Sequence, residues 1–179
     1  WLMSDMIQDY FGEIDNLETL VEKGQIIQSE GYKAIYEEAR RQKPYCAMAL
    51  NWCYNEPWPT AANNSLLSYP NIPKPAFYAV KNSCRPVCSS AKITKFKWKE
   101  DENFTTQLWM LNDRANEVSK GKMVAKLIAG DTEIEIMEWQ FDRMQPYKNQ
   151  EGPVSAPYQL PAWNTNMFKL ILEVEGRPE

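Results

Sequence analysis

Histidine is absent from all 179 residues. Its absence excludes a Ser-His-Asp triad, a Cys-His dyad and any His-ligated metal site within this chain, and it removes the commonest general base. A basic excess is also lacking: 20 Lys and Arg stand against 24 Asp and Glu, for a net charge of −4. Without it there is no electrostatic drive toward a polyanion, so nucleic acid is not an expected partner. No stretch approaches the ~20 apolar residues of a membrane span, so a membrane is not expected either. Cysteine is sparse. Cys46 and Cys53 share one apolar run, and Cys84 and Cys88 lack a second pair at zinc-ribbon spacing. Neither a zinc site nor a disulfide framework is therefore expected, and no metal or cofactor is expected in the chain. Internal repeats and low-complexity segments are missing too. The opening Trp1-Leu2-Met3-Ser4 has no basic region ahead of an apolar core, so no secretory signal is read there. A fragment of a longer protein is expected.

What is present has a globular balance, with 44% hydrophobic and 25% charged residues. A short helix is predicted over residues 1–11, ending at Gly12. A long one follows, with Leu17, Leu20, Val21, Gly24, Ile27, Gly31, Ala34, Ile35 and Ala39 at three- and four-residue intervals on one face. Gly24 and Gly31 on that face predict close packing against a neighbouring element. Arg40, Arg41 and Lys43 suit the C-terminal end of the helix dipole, and Pro44 stops the helix. Residues 45–53 form a nearly continuous apolar run, which predicts a strand buried on both faces. A long helix feeding such a strand is an α/β unit. Pro73 and Pro75 then precede a helix of about two turns from Ala76 to Ser83.

From residue 84 the period changes to two. Strands are predicted around Phe96 and Trp98, over Phe104–Leu111, Lys122–Ala129 and Glu133–Phe141, and over 166–175. In the strand ending at Phe141 the apolar parity shifts, which predicts a bulge or a sheet switch near Ile136 to Glu138. The Pro-rich segment Gly152–Pro161 predicts a sheet edge. Several short strands in succession indicate an antiparallel sandwich. Its predicted core is Phe96, Trp98, Leu108, Met110, Phe168, Leu170 and Leu172. Lys92, Lys95, Lys97 and Lys99 read as a solvated face. Asn63-Asn64-Ser65 and Asn103-Phe104-Thr105 fit the N-glycosylation pattern.

Asn51 to Pro59 sets two indoles, an amide and a carboxylate at the C-terminal end of the predicted 45–53 strand, where α/β folds keep their sites. Indole faces stack on the C–H faces of sugar rings, and Asn and Glu hydrogen-bond hydroxyls. Trp and Tyr after a core strand also serve as plain packing, so both roles stay open on these residues alone.

The stretch Gly31–Arg41 leads into Ala47–Pro59, then Asn63–Tyr69, then Lys74-Pro75-Ala76-Phe77-Tyr78-Ala79-Val80-Lys81. Together these resemble the C-terminal part of a glycoside hydrolase family 2 enzyme of the β-mannosidase-like branch. Glu56 stands where Asp is usual in that family, and Pro57 follows it. The resemblance implies an α+β fragment. Residues 1–83 would be the last α/β portion of a TIM-type (β/α)8 catalytic barrel, and 84–179 an immunoglobulin-like antiparallel β-sandwich lacking its last strand. It implies a parent that is a retaining β-glycosidase hydrolysing β-linked glycosides, with β-mannosides the expected substrates. Such enzymes use two carboxylates roughly 5 Å apart, and in this family both lie upstream of the strand that 45–53 resembles. The chain alone is then inactive and has no catalytic residue of its own. Trp52 would line the sugar pocket, with Asn55, Glu56 and Trp58 at its rim.

A competing placement reads Asn55-Glu56-Pro57 as the acid/base motif of an earlier barrel strand, with Glu56 as proton donor. The all-β pattern that follows Ser83 does not continue the barrel as that placement requires. A third reading, from another class, is a non-catalytic carbohydrate-binding or structural module. The expected partners are a carbohydrate substrate and the remainder of the parent chain. Apolar surface is predicted along Leu17, Val21, Ile27, Ile35 and 45–53, and with it self-association through exposed faces. An exported or lysosomal location is what the resemblance implies for the parent.

Overall fold

The computed structural model describes residues 4–176. It is an α+β structure with three helices and antiparallel sheets. The chain divides between Arg85 and Pro86 into two compact units.

In the first unit, α1 (Ser4–Phe11) stops at Gly12, whose φ of +81° suits a residue without a Cβ. Asn16 then caps α2 (Leu17–Arg41): its side-chain oxygen accepts from the Thr19 amide at 2.8 Å. A Cβ on Gly24 would lie 3.2 Å from Ile7 Cδ1, so this glycine lets α1 approach α2. Gly31 has nothing within 4 Å of its would-be Cβ, and the close packing expected there is absent. Leu17, Val21 and Ile35 are exposed as predicted, while Ile27 is half-buried.

The strand predicted over 45–53 is not formed; the segment is irregular, and Tyr45, Met48 and Leu50 are exposed. A strand of that kind needs hydrogen-bonding partners on both edges. Among the described residues no strand pairs with it, and a parallel bridge from Asn55 to Leu67 forms only past its end. A small hairpin follows, β1 (Leu67–Ser68) against β2 (Ile72–Pro73). It feeds α3 (Pro75–Ser83), with Pro75 in the first turn where no amide donor is needed. α3 packs on α2 and buries Ala76 and Ser83.

The second unit holds β3 (Val87–Lys92), β4 (Asn103–Phe104), β5 (Gln107–Asn112), β6 (Gly121–Ala129), β7 (Thr132–Phe141), β8 (Gln150–Val154), β9 (Tyr158–Gln159) and β10 (Lys169–Val174). Two three-stranded antiparallel sheets, β3-β5-β8 and β10-β6-β7, are accompanied by a separate short β4-β9 pair. Leu108 and Met110 from one sheet meet Met123, Ala125, Phe141 and Val174 from the other in a shared core. A second cluster centres on Phe104, Leu127 and Leu160, with Trp98, Trp163 and Phe168 around it. Phe104 lies 5.0 Å from the Trp98 ring and 5.8 Å, edge-on, from Phe168.

The predicted bulge is there. Ala125 faces Met137 and Lys126 faces Glu135, leaving Ile136 as the extra residue. Gly152 and Pro153 lie in β8, at the edge of its sheet. The strand expected around Phe96 and Trp98 is instead a loop after β3. Glu102 closes it by accepting from Lys95 Nζ at 2.6 Å and the Lys99 amide at 3.0 Å. Phe96 is consequently exposed and leaves the predicted core, whereas Trp98 stays half-buried against Phe104.

Candidate functional site

Helix α2 carries a hydrogen-bonding stripe at four-residue spacing, so its members line one face. Gln28 Nε2 and Tyr32 Oη both donate to the Asn64 carbonyl at 2.8 Å, and Tyr36 Oη donates to Asn51 Oδ1 at 3.0 Å. Burial raises the Tyr36 phenol above its ordinary value, with Cys84 and Tyr32 adding to the shift, so it remains a donor. These bonds dock the irregular 51–65 loop on the helix. Asn51 Nδ2 donates onward to the Cys53 carbonyl at 3.0 Å. The Cys53 thiol reaches Asn63 Oδ1 at 3.5 Å, and the Ser65 amide donates to that same oxygen at 2.9 Å. The residues on both sides of Trp52 are thus held, and the Trp52–Cys53 peptide is cis.

The four predicted contact residues part company here. Trp52 is 85% exposed and Trp58 64%, and Asn55 is exposed between them in sequence. Glu56 is only 6% exposed. Its Oε1 accepts from Lys74 Nζ at 2.8 Å and from Ser65 Oγ at 2.9 Å, and its Oε2 from the Tyr69 amide at 3.3 Å. Glu56, expected at the rim of a sugar pocket, has its carboxylate turned inward onto Lys74 and Ser65. Burial by itself would raise the Glu56 pKa, but the hydrogen bonds from Lys74, Ser65 and Tyr69 outweigh it and bring the value down to about 2. A proton donor works best from a raised pKa, and the bonds from Lys74 and Ser65 shift Glu56 the other way.

Lys74 is the residue that the sequence reading passed over, noting it only as the head of the Lys-Pro-Ala motif. Its Nζ donates to Glu56, to Ser65 Oγ at 2.9 Å and to the Asn63 carbonyl at 3.0 Å. The Gln28-Tyr32-Tyr36 stripe was missed as well, although its spacing of four is as regular as that of the apolar face.

No protein-family model matches the chain. β-Mannosidase B of Aspergillus niger is 30% identical over 131 residues, 69% of this chain and 15% of the relative. β-Mannosidase B of Aspergillus oryzae is 27% identical over 172 residues, 92% of this chain and 19% of the relative. The relationship is to the β-mannosidase branch of glycoside hydrolase family 2. The family resemblance read from Gly31–Arg41, 47–59 and Lys74–Lys81 therefore stands. Among solved structures, Amycolatopsis orientalis exo-chitosanase CsxA aligns with 96% of this chain and 20% of its own, at a TM-score of 0.66 and 18% identity. That likeness speaks to the fold. The chain spans 15% of the length of the first of these relatives and 19% of the second.

Proposed function

We propose that this chain is the C-terminal part of a retaining β-glycosidase acting on β-linked glycosides, with β-mannosides as the substrates. On this reading residues 1–83 complete a (β/α)8 barrel and residues 84–179 form an immunoglobulin-like sandwich. Trp52 faces the sugar, with Asn55 and Trp58 beside it. The observation that carries the reading is the unsatisfied apolar surface of the first unit. Tyr45, Met48, Leu50, Trp52 and Trp58 are exposed along one short segment, and Leu17, Val21 and Ile35 along α2. A barrel would supply the missing strand neighbours for 45–53 and cover that surface. The commitment of Glu56 to Lys74 supports a catalytic pair, roughly 5 Å apart, carried elsewhere in the parent enzyme.

The test compares this chain with the longer polypeptide that contains it, using p-nitrophenyl β-D-mannoside. The longer protein turns the substrate over, and Trp52→Ala raises its KM. The isolated chain does not turn it over. Turnover by the isolated chain, abolished by Glu56→Gln, would overturn the assignment and restore Glu56 as the acid/base.

A further inference from the structure

We infer that Lys74 is a positioning residue for the Trp52–Trp58 surface, acting through Glu56 and Asn63. The inference rests on the reading of that surface as a sugar contact. Lys74 is 10% exposed, and its ammonium has three protons and three acceptors, on Glu56, Ser65 and Asn63. Each acceptor belongs to the loop that carries the indoles. Glu56 lies two residues before Trp58, and its backbone amide donates to the Leu67 carbonyl at 3.1 Å. Asn63, held through its carbonyl by Lys74, holds the Cys53 thiol through its side chain, next to Trp52. Lys74 itself is fixed: its amide donates to the Leu66 carbonyl at 3.0 Å, and it is the N-cap residue of α3. One ammonium thereby ties both ends of the exposed loop to a helix start.

Net stability alone does not select charged groups for this position. Burying an ion pair costs desolvation, and an apolar pair of similar volume usually does as well. What an apolar pair cannot supply is direction. Three charge-assisted bonds from one nitrogen set the loop's geometry, and with it the orientation of the two indoles.

The experiment measures KM and kcat for p-nitrophenyl β-D-mannoside on the full-length enzyme and its Lys74→Met, Trp52→Ala and doubly substituted variants. Lys74→Met is expected to raise KM about tenfold with kcat changed less than about threefold. In the Trp52→Ala background the same substitution should raise KM clearly less, because only Trp58 is left to position. An equal rise in both backgrounds would overturn the inference and leave Lys74 as a fold-maintaining residue. If Trp52→Ala alone leaves KM unaltered, the sugar-contact reading fails first and the positioning role falls with it. Should Lys74→Met not fold, Ser65→Ala carries the test: it removes the Lys74–Ser65 and Ser65–Glu56 bonds and keeps both charges, and its expected KM rise is about threefold. No rise with Ser65→Ala would then overturn the inference.

Discussion

Ile7 and Gly24 meet where α1 lies against α2, with 3.2 Å between Ile7 Cδ1 and the position a Cβ would take on Gly24. Gly31, seven residues on along the same helix, faces open space. The two glycines therefore respond differently to the same substitution. Gly31→Ala should stabilise the chain by about 0.5–1 kcal/mol through helix propensity and a less flexible unfolded state. Gly24→Ala should gain little or nothing, because Ile7 must move aside. Urea denaturation of the two variants reads the contrast directly.

The Glu56 carboxylate predicts an acid-sensitive first unit. Its folded pKa, about 2, lies below the ordinary glutamate value. The unfolded chain therefore binds the proton more readily as pH falls. The contribution to stability is full above the ordinary glutamate pKa of about 4.3 and is lost as pH drops from there toward 2. Glu56→Gln should flatten that part of the stability–pH profile. At neutral pH it should also destabilise the unit by roughly 3 kcal/mol, because the Lys74 charge stays buried without its partner. Circular dichroism melts between pH 2 and 7 check both effects.

Gly152 should not tolerate a side chain. A Cβ there would stand 2.8 Å from the Leu108 carbonyl oxygen and 2.9 Å from the Trp139 ring. The first obstacle is backbone in a central strand, so it cannot rotate away. Gly152→Ala is expected to cost about 1–3 kcal/mol, measured by thermal unfolding. Gly130→Asn, at a turn with φ of +57° and nothing within 4 Å, is the tolerated comparison.

Self-association should follow from the exposed apolar strip on the first unit. Sedimentation velocity over a concentration series should show the isolated chain forming larger species. Val21→Lys with Ile35→Lys, both exposed on α2, should shift the distribution toward monomer. A chain that stays monomeric at all concentrations would remove this expectation.

Much of the fold was legible because periodicity reports on which face is covered. α2, α3, β6, β7 and β10 follow from spacing, and even the bulge at Ile136 appears as a parity shift. The failures have a common cause. The 45–53 run has the composition of a buried strand, yet strand formation depends on neighbours that no local pattern encodes. β3 went unseen as a strand because its inward-facing residues are Cys88 and Ser90 rather than large hydrophobes. The inward turn of Glu56 was invisible for a similar reason. Its partner Lys74 is eighteen residues away, and nothing near Glu56 in sequence distinguishes a buried carboxylate from a solvated one.

Gln28 and Tyr32 both end on the carbonyl oxygen of Asn64, a main-chain atom, and not on its side chain. A contact made to the peptide backbone does not depend on what residue occupies the position. Substitution can therefore alter the chemistry displayed at position 64 while the loop keeps its seat on the helix, provided positions 28 and 32 keep their donors. The helix face carries the constraint and the loop carries the freedom to vary, a division of labour that allows a surface to diversify without refolding.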